Sequence, residues 1–245
     1  MKQTVFKILQ NEKIADNTYK MILQGDTKGI TRPGTFVNIK LDGFFLRRPI
    51  SVCDVFKNTL TIIYKAVGTG TREMARMLPG KSLDMLTDLG NGYSLFESGD
   101  TPLIVGGGAG VPPMYYLAKM LVKEGKKPTA ILGFNKKSEV FFKEEFKKAG
   151  VHTIITTADG SDGVKGFVTD VMSVAHYSYF YACGPEAMLR AVYDISKTSG
   201  QLSFEERMGC GFGACMGCSC KTLYGSKRIC TDGPVLKKEE IIWEK

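Results

Sequence analysis

Five of the seven cysteines, Cys210, Cys215, Cys218, Cys220 and Cys230, crowd into a stretch of 21 residues, and four of them read C-x4-C-x2-C-x11-C. Four thiolates select zinc or an iron–sulfur cluster. The x4-then-x2 opening is the plant-type [2Fe–2S] spacing, whereas zinc sites usually use pairs of C-x2-C hooks. The first three sulfurs lie in GCGFGACMGCSC, where Gly209, Gly211, Gly213, Ala214 and Gly217 let the backbone curl until amide N–H groups face the sulfur centre. The spacing favours [2Fe–2S] on Cys210, Cys215, Cys218 and Cys230, with zinc as the alternative. Cys220 would give x4–x4 if it replaced Cys218, and it reads instead as a small buried residue. An odd cysteine count with this clustering favours a cytoplasmic, metal-binding chain over a secreted, disulfide-bonded one.

A second candidate site is GGGAGVPP, Gly106 to Pro113, directly after the strand-like LIV. A glycine turn at a strand's C-terminal end lets backbone approach a pyrophosphate, with the next helix N-terminus facing it. Val111 stands where strict GxGxxG has its third glycine, and Pro112 or Pro113 fits a helix start. The alternative is a plain tight turn. Lys136 and Lys137 after the next strand suit either a phosphate contact or a solvated helix start, and leave NAD against NADP open. A third candidate is RRPISV, 47–52. Pro49 holds Arg48 extended. An Arg fork suits phosphate or a flavin ring system, and Ser51 can donate to a flavin nitrogen. The alternative is a solvated basic edge.

These sites need elements to hold them. Residues 1–97 read as a β-barrel or sandwich, with strands at 4–9, 18–25, 35–41, 50–56 and 60–67 and one helix at 70–80. Residues 98–200 alternate strand (102–107, 128–134, 151–158, 177–184) with helix (112–125, 138–150, 185–200), plus a short helix or turn at 166–175. That pattern predicts a parallel sheet covered on both faces. Residues 201–245 are too short and too rich in Gly and Cys for a large core, so they should need a metal to hold them. The chain has 245 residues, 43% hydrophobic and 24% charged, which excludes a disordered tail, a collagen-like fibre or a coiled coil. Its net charge of +8 is weak evidence for any partner, and no nucleic acid is expected. No secretory leader is apparent. The uncharged run 101–118 carries four Gly and three Pro, which fits a strand, turn and helix start and argues against stable membrane insertion.

Taken together, RRPIS, IIYKAVGTGT, GNGY, VGGGAGVPP, TADGS, YACGPEAML, EERMGCGFGACMGCSCKT and CTDGPV resemble, in order and over essentially the whole chain, the electron transfer subunits of bacterial NAD-dependent dihydroorotate dehydrogenase. These belong to the ferredoxin reductase-like flavoproteins. The resemblance implies an FAD-binding β-barrel (1–97), a Rossmann-like α/β NAD-binding domain (98–200) and a small C-terminal [2Fe–2S] segment (201–245). It implies FAD contacts from Arg48, Pro49, Ile50 and Ser51, from Ile63, Tyr64 and Lys65 (Lys where relatives usually have Arg), and from Gly70 and Thr71. It implies NAD+ contacts from Gly107, Gly108, Gly110, Cys183, Gly184 and Pro185, cluster ligands Cys210, Cys215, Cys218 and Cys230, and a non-ligand Cys220. Cys183 would lie near the hydride path or be a buried strand end. Cys53 reads as core. Asp159 and Gly160 form a turn with a loose claim on nucleotide.

A cluster passes single electrons and a nicotinamide takes a hydride, so a flavin must stand between them. The implied partner is an FMN-containing catalytic subunit that oxidises dihydroorotate in pyrimidine biosynthesis, in a two-plus-two heterotetramer. This chain has no dihydroorotate site of its own, and its order of transfer would be partner flavin, cluster, FAD, NAD+. The cluster tail should face the partner, with Lys227 and Arg228 either at the interface or merely solvated. Two alternatives are a reductase subunit of an NAD(P)H-dependent sulfide or ferredoxin system, and a non-redox four-cysteine zinc module.

Overall fold

The computed structural model describes residues 1–243. Alternation of apolar and polar residues builds the first half. Strands β1 (Lys2–Ala15), β2 (Thr18–Gln24), β3 (Phe36–Ile39), β4 (Arg48–Phe56) and β5 (Thr59–Lys65), helix α1 (Thr69–Ala75) and strand β6 (Ser82–Leu89) follow in sequence. The six strands close an antiparallel barrel in the order β1-β2-β5-β4-β3-β6. Phe6, Ile8, Met21, Leu23, Val37, Ile39, Leu60, Ile62 and Met85 fill its interior. Burying such side chains is the main favourable term, about 1.5–3 kcal/mol each. The sequence pattern anticipates five of these strands but not β6.

The second half alternates as expected: β7 (Leu103–Gly107), α2 (Val111–Lys123), β8 (Thr129–Phe134), α3 (Lys143–Lys148), β9 (His152–Thr157), β10 (Val164–Lys165), α4 (Val168–Met172), β11 (Phe180–Cys183), α5 (Glu186–Ile195) and β12 (Gly200–Ser203). Successive residues point to opposite faces. Ile104, Ala130 and Leu132 pack with Leu117 and Phe146 of α2 and α3 on one face. Leu103, Val105 and Ile131 pack with Val168 and Leu189 of α4 and α5 on the other. The expected 138–150 helix is broken: a short 3-10 turn at Lys137–Glu139 precedes α3.

The cysteine-rich segment is an excursion from this sheet. After β12 the chain forms the cluster loop and a hairpin, β13 (Ser219–Thr222) and β14 (Gly225–Arg228), then returns as β15 (Val235–Lys237). β15 pairs antiparallel with β12, completing the order β10-β9-β8-β7-β11-β12-β15. Cys218, Ile229 and Cys230 share a core with Phe36, Leu86 and Leu89 on the barrel's outer wall. Both faces of β3 and β6 are therefore buried.

Asn91, in the loop after β6, clasps this return. Its Nδ2 donates to the carbonyls of Asp232 (3.1 Å) and Val235 (2.7 Å), and its Oδ1 accepts from Val235 N–H (3.1 Å). The GNGY and DGPV motifs are thus two halves of one contact. Asn91→Ala should cost about 2–3 kcal/mol because it strands these backbone groups. That corresponds to a fall of roughly 4–12 °C in melting temperature for a chain of this size, read by thermal denaturation.

Buried phenols set the alkaline limit. Burial pushes Tyr179 up to about 12, and raises Tyr93 and Tyr181 as well. The folded state holds these protons more tightly than the unfolded chain, whose tyrosines ionise near pH 10. Their stabilisation is complete below pH 10 and is lost above it. Urea midpoints should be flat from pH 8 to 9.5 on this account. Above pH 10 stability should fall by about 1.4 kcal/mol per pH unit for each such phenol.

Candidate functional site

The cluster loop is built from main-chain amides aimed at sulfur. The N–H groups of Ala214 (3.3 Å), Cys215 (3.4 Å) and Phe212 (3.5 Å) donate to Cys210 Sγ, and Cys210 N–H donates to Cys215 Sγ (3.5 Å). Cys230 N–H donates to Cys218 Sγ (3.4 Å). Burial opposes ionisation of Cys210, but the amides of Phe212, Cys215 and Ala214 and the Cys215 side chain outweigh it and bring the thiol down to about 6. Cys230 is held up at about 12 by burial and by the neighbouring Cys218. The sulfurs thus fall into two pairs, 210 with 215 and 218 with 230. Among the described residues no three metal-binding side chains converge as a cage for one ion. A two-iron cluster asks only two thiolates of each iron, so the donor set fits it. Thr231 Oγ1, buried against Gly213 with no partner among the described residues, is a spare donor beside the loop.

Cys220 stands outside this network, half-buried on β13 opposite Lys227. Lys227 is ion-paired to Glu240. Arg228 donates to the Gly213 carbonyl (2.9 Å) and to Asp232. Both basic side chains are therefore engaged within the chain, and Arg228 braces the loop.

On the barrel, Arg48 lies over the Phe44 ring (4.9 Å) and donates to the Leu46 carbonyl (2.6 Å). A methyl group at Gly70 would overlap the Arg48 guanidinium, with Nη2 2.8 Å away, so this glycine is a cradle for the Arg. Ser51 is partly exposed beside them, and Pro49 and Ile50 complete the strand. Thr71 Oγ1 accepts from Gly68 N–H (3.1 Å), closing the start of α1. Ile63 is buried between barrel and sheet. Tyr64 is buried too, its hydroxyl donating to Asn11 (2.8 Å), which leaves only its main chain for a ligand. Lys65 turns elsewhere, to Glu139 (3.4 Å).

That turn brings Lys65 to a 540 Å³ cleft at the C-terminal ends of β7 and β11, lined also by Gly108, Phe134, Asn135, Glu139, Thr156, Val168, Pro185 and Met188. β7 has β8 on one side and β11 on the other, so the cleft sits where a doubly wound sheet reverses direction, the usual place for a nucleotide. Gly107 faces Gly184, and Gly110 abuts the Cys183 main chain. Cys183 is buried, and burial, then the Glu205 charge, pushes its thiol up to about 12, so it is neutral near pH 7. Lys136 is engaged by Asp16 (3.0 Å). Asp159 accepts from Ser161 in a turn. Cys53 is fully buried core. No spacing in the sequence places Glu139 or Met188 in this cleft, because only the fold brings them to the glycine turn.

A closed six-stranded barrel joined to a doubly wound sheet, with a nucleotide cleft at its switch point, defines a ferredoxin reductase-like FAD/NAD-binding protein. Residues 104–194 match the oxidoreductase NAD-binding domain, and 205–242 match the iron-sulfur cluster binding domain of dihydroorotate dehydrogenase B. A structure described as NADH-dependent reduced ferredoxin-NADP oxidoreductase superposes with a TM-score of 0.89 at 29% identity, covering 97% of this chain and 90% of that one. A dihydroorotate dehydrogenase B (NAD(+)) electron transfer subunit of Geobacillus sp. (strain WCH70) is 43% identical over 99% of both chains. Another from Fusobacterium nucleatum subsp. nucleatum is 44% identical over 95% of both. The chain belongs to the family of dihydroorotate dehydrogenase B (NAD(+)) electron transfer subunits. No helix among the described residues is long and apolar enough to cross a membrane.

Proposed function

We propose that this chain collects electrons from a dihydroorotate-oxidising, FMN-containing catalytic subunit and delivers them to NAD+, in a cytoplasmic two-plus-two heterotetramer serving pyrimidine synthesis. The observation that carries this reading is the two pairs of cysteine sulfurs, lined by amide donors, packed on the outer wall of the barrel whose β4 bears Arg48, Pro49, Ile50 and Ser51. When bound, the cluster carries single electrons and the flavin converts them to the hydride that nicotinamide accepts.

The chain's own residues bind and orient. Cys210, Cys215, Cys218 and Cys230 hold the cluster. Arg48, steadied by Phe44 and Gly70, offers a guanidinium to the FAD phosphates. Ser51 Oγ, which has no hydrogen bond among the described residues, can donate to the flavin ring. Ile63, Tyr64 and Lys65 border the flavin and nucleotide through their main chain and the Lys65 ammonium, and Gly70 and Thr71 through their amides. Gly107, Gly108, Gly110, Cys183, Gly184 and Pro185 form the floor on which NAD+ lies. Exposed Cys215, Phe212 and Met216 form the apolar tip of the cluster loop, a suitable docking face for the catalytic subunit. The division of labour places the domain limits at 1–97, 98–200 and 201–245, with the last segment supplying most of β12 and all of β15 to the nucleotide sheet. The seven free cysteines suit a reducing compartment.

The experiment is purification with the co-expressed catalytic subunit, followed by iron, acid-labile sulfide and flavin analysis and an assay of NAD+ reduction by dihydroorotate. A brown-yellow complex active only with its partner is expected. Zinc without acid-labile sulfide would overturn the proposal.

A further inference from the structure

β3 alternates like any strand: Val37 and Ile39 enter the barrel core, while Phe36 joins the core beneath the cysteine segment. Asn38 lies on the same outward face as Phe36 and is only 1% exposed. Its Nδ2 donates to the carbonyl of Cys210 (3.2 Å). A methyl group at Gly211 would overlap that Nδ2, so the loop presses directly onto the side chain. Across the ladder Asn38 pairs with Pro49, and Phe36 with Ser51. Directly opposed residues are about 4.5–5.5 Å apart at Cβ. One cross-strand step therefore joins the grip on the first cluster cysteine to the strand that carries the flavin motif.

The side chain is not there for the stability of the barrel. Asn38 Oδ1 is buried and accepts no hydrogen bond among the described residues. An unpaired buried amide oxygen is unfavourable, and an apolar side chain of the same shape would avoid the penalty. What Asn38 provides is its Nδ2. By holding the Cys210 carbonyl it fixes the turn whose amides at 212, 214 and 215 donate to Cys210 Sγ. Hydrogen bonds to sulfur favour the reduced, more negative cluster and set its potential.

Resting on the function proposed above, we infer that Asn38 is the positioning residue between the two redox centres: it sets the cluster loop's place over the flavin strand and, through the amide–sulfur bonds, the cluster potential.

The test uses the complete complex carrying Asn38→Leu or Asn38→Ser. The readouts are iron and sulfide content, cluster potential by EPR-monitored titration, the rate of cluster–flavin exchange, and the NADH-to-FAD step in stopped flow. Asn38→Leu should disfavour the reduced cluster about tenfold relative to the flavin, a fall of about 59 mV for one electron. Exchange should slow while the NADH-to-FAD step stays unchanged and the melting temperature does not fall. Asn38→Ser keeps a donor and should lie between Asn38→Leu and the native complex. A normal potential and exchange rate in Asn38→Leu would reduce Asn38 to packing and overturn the inference. Iron missing from both variants would also overturn it, showing a residue needed to build the loop rather than to place it. A native complex without iron and sulfide would instead defeat the functional reading itself.

Discussion

Cys215→Ser is expected to yield a yellow complex that still oxidises NADH with an artificial acceptor but no longer reduces NAD+ with dihydroorotate. Cys215 Sγ is exposed, receives the Cys210 amide, and has Gly209 and Gly217 close about it. Serine places a harder, shorter donor there, and one iron loses half its thiolate pair. The residues proposed for FAD stand on β4, β5 and α1 and share no element with the loop, so flavin content should be unchanged. Physiological turnover should fall on the order of 10³-fold, equivalent to about 4 kcal/mol on the limiting barrier. The NADH–acceptor rate should stay within about twofold on the same scale. Cys220→Ser is the control: its thiol lies outside the amide–sulfur network, so iron should be retained. Iron lost from Cys220→Ser and kept in Cys215→Ser would reassign the ligand.

The sites legible in the sequence were those written into local spacing. The four-cysteine pattern, the glycine turn and RRPIS each occupy one short stretch; the glycine turn lies between a strand and a helix as its pattern predicts, while RRPIS opens β4 two residues before the expected strand at 50–56. What escaped were features made by distant segments. β6 contains Asp84 and Asp88 and lacks clean alternation because Leu86 and Leu89 on its outer wall are covered by the cysteine segment. A strand buried on both faces loses its two-residue period. Asp84 is tolerated there because Arg47 (2.9 Å) and Gln3 (2.8 Å) bind it. β12 and β15 are too short to announce themselves, and each finds its partner only in the assembled sheet. Asn91 meets residues more than 140 positions away. Asn38, in the strand-like run FVNI, differs from its neighbours only in being polar, and no sequence rule assigns that oddity a place beneath Cys210.

The second large effect is expected at Gly110. Its backbone, φ −81° and ψ −10°, is open to any residue, so alanine there meets no dihedral penalty. Space decides instead. An added methyl would overlap the Cys183 carbonyl and lie 2.5 Å from Gly184 N. Those atoms cannot step aside: Cys183 is laddered to Gly106 on one side and Ser203 on the other. Gly110→Ala must therefore push the turn and the start of α2 away from β11, parting the floor of the nucleotide cleft. A loss of about 2–3 kcal/mol in stability is expected, the upper part of the overpacking range. The KM for NAD+ should rise about tenfold or more, since misplaced binding groups forfeit at least 1.4 kcal/mol. Gly107→Ala offers the contrast. Its methyl would meet Met188 Sδ, the far end of a flexible chain that can rotate away, so the cost should stay below about 1 kcal/mol. Iron and FAD content should be normal in both variants, because neither glycine touches the barrel motif or the cysteine loop. An unchanged KM in Gly110→Ala, with the stability loss present, would move the nicotinamide site away from the β7–β11 crevice.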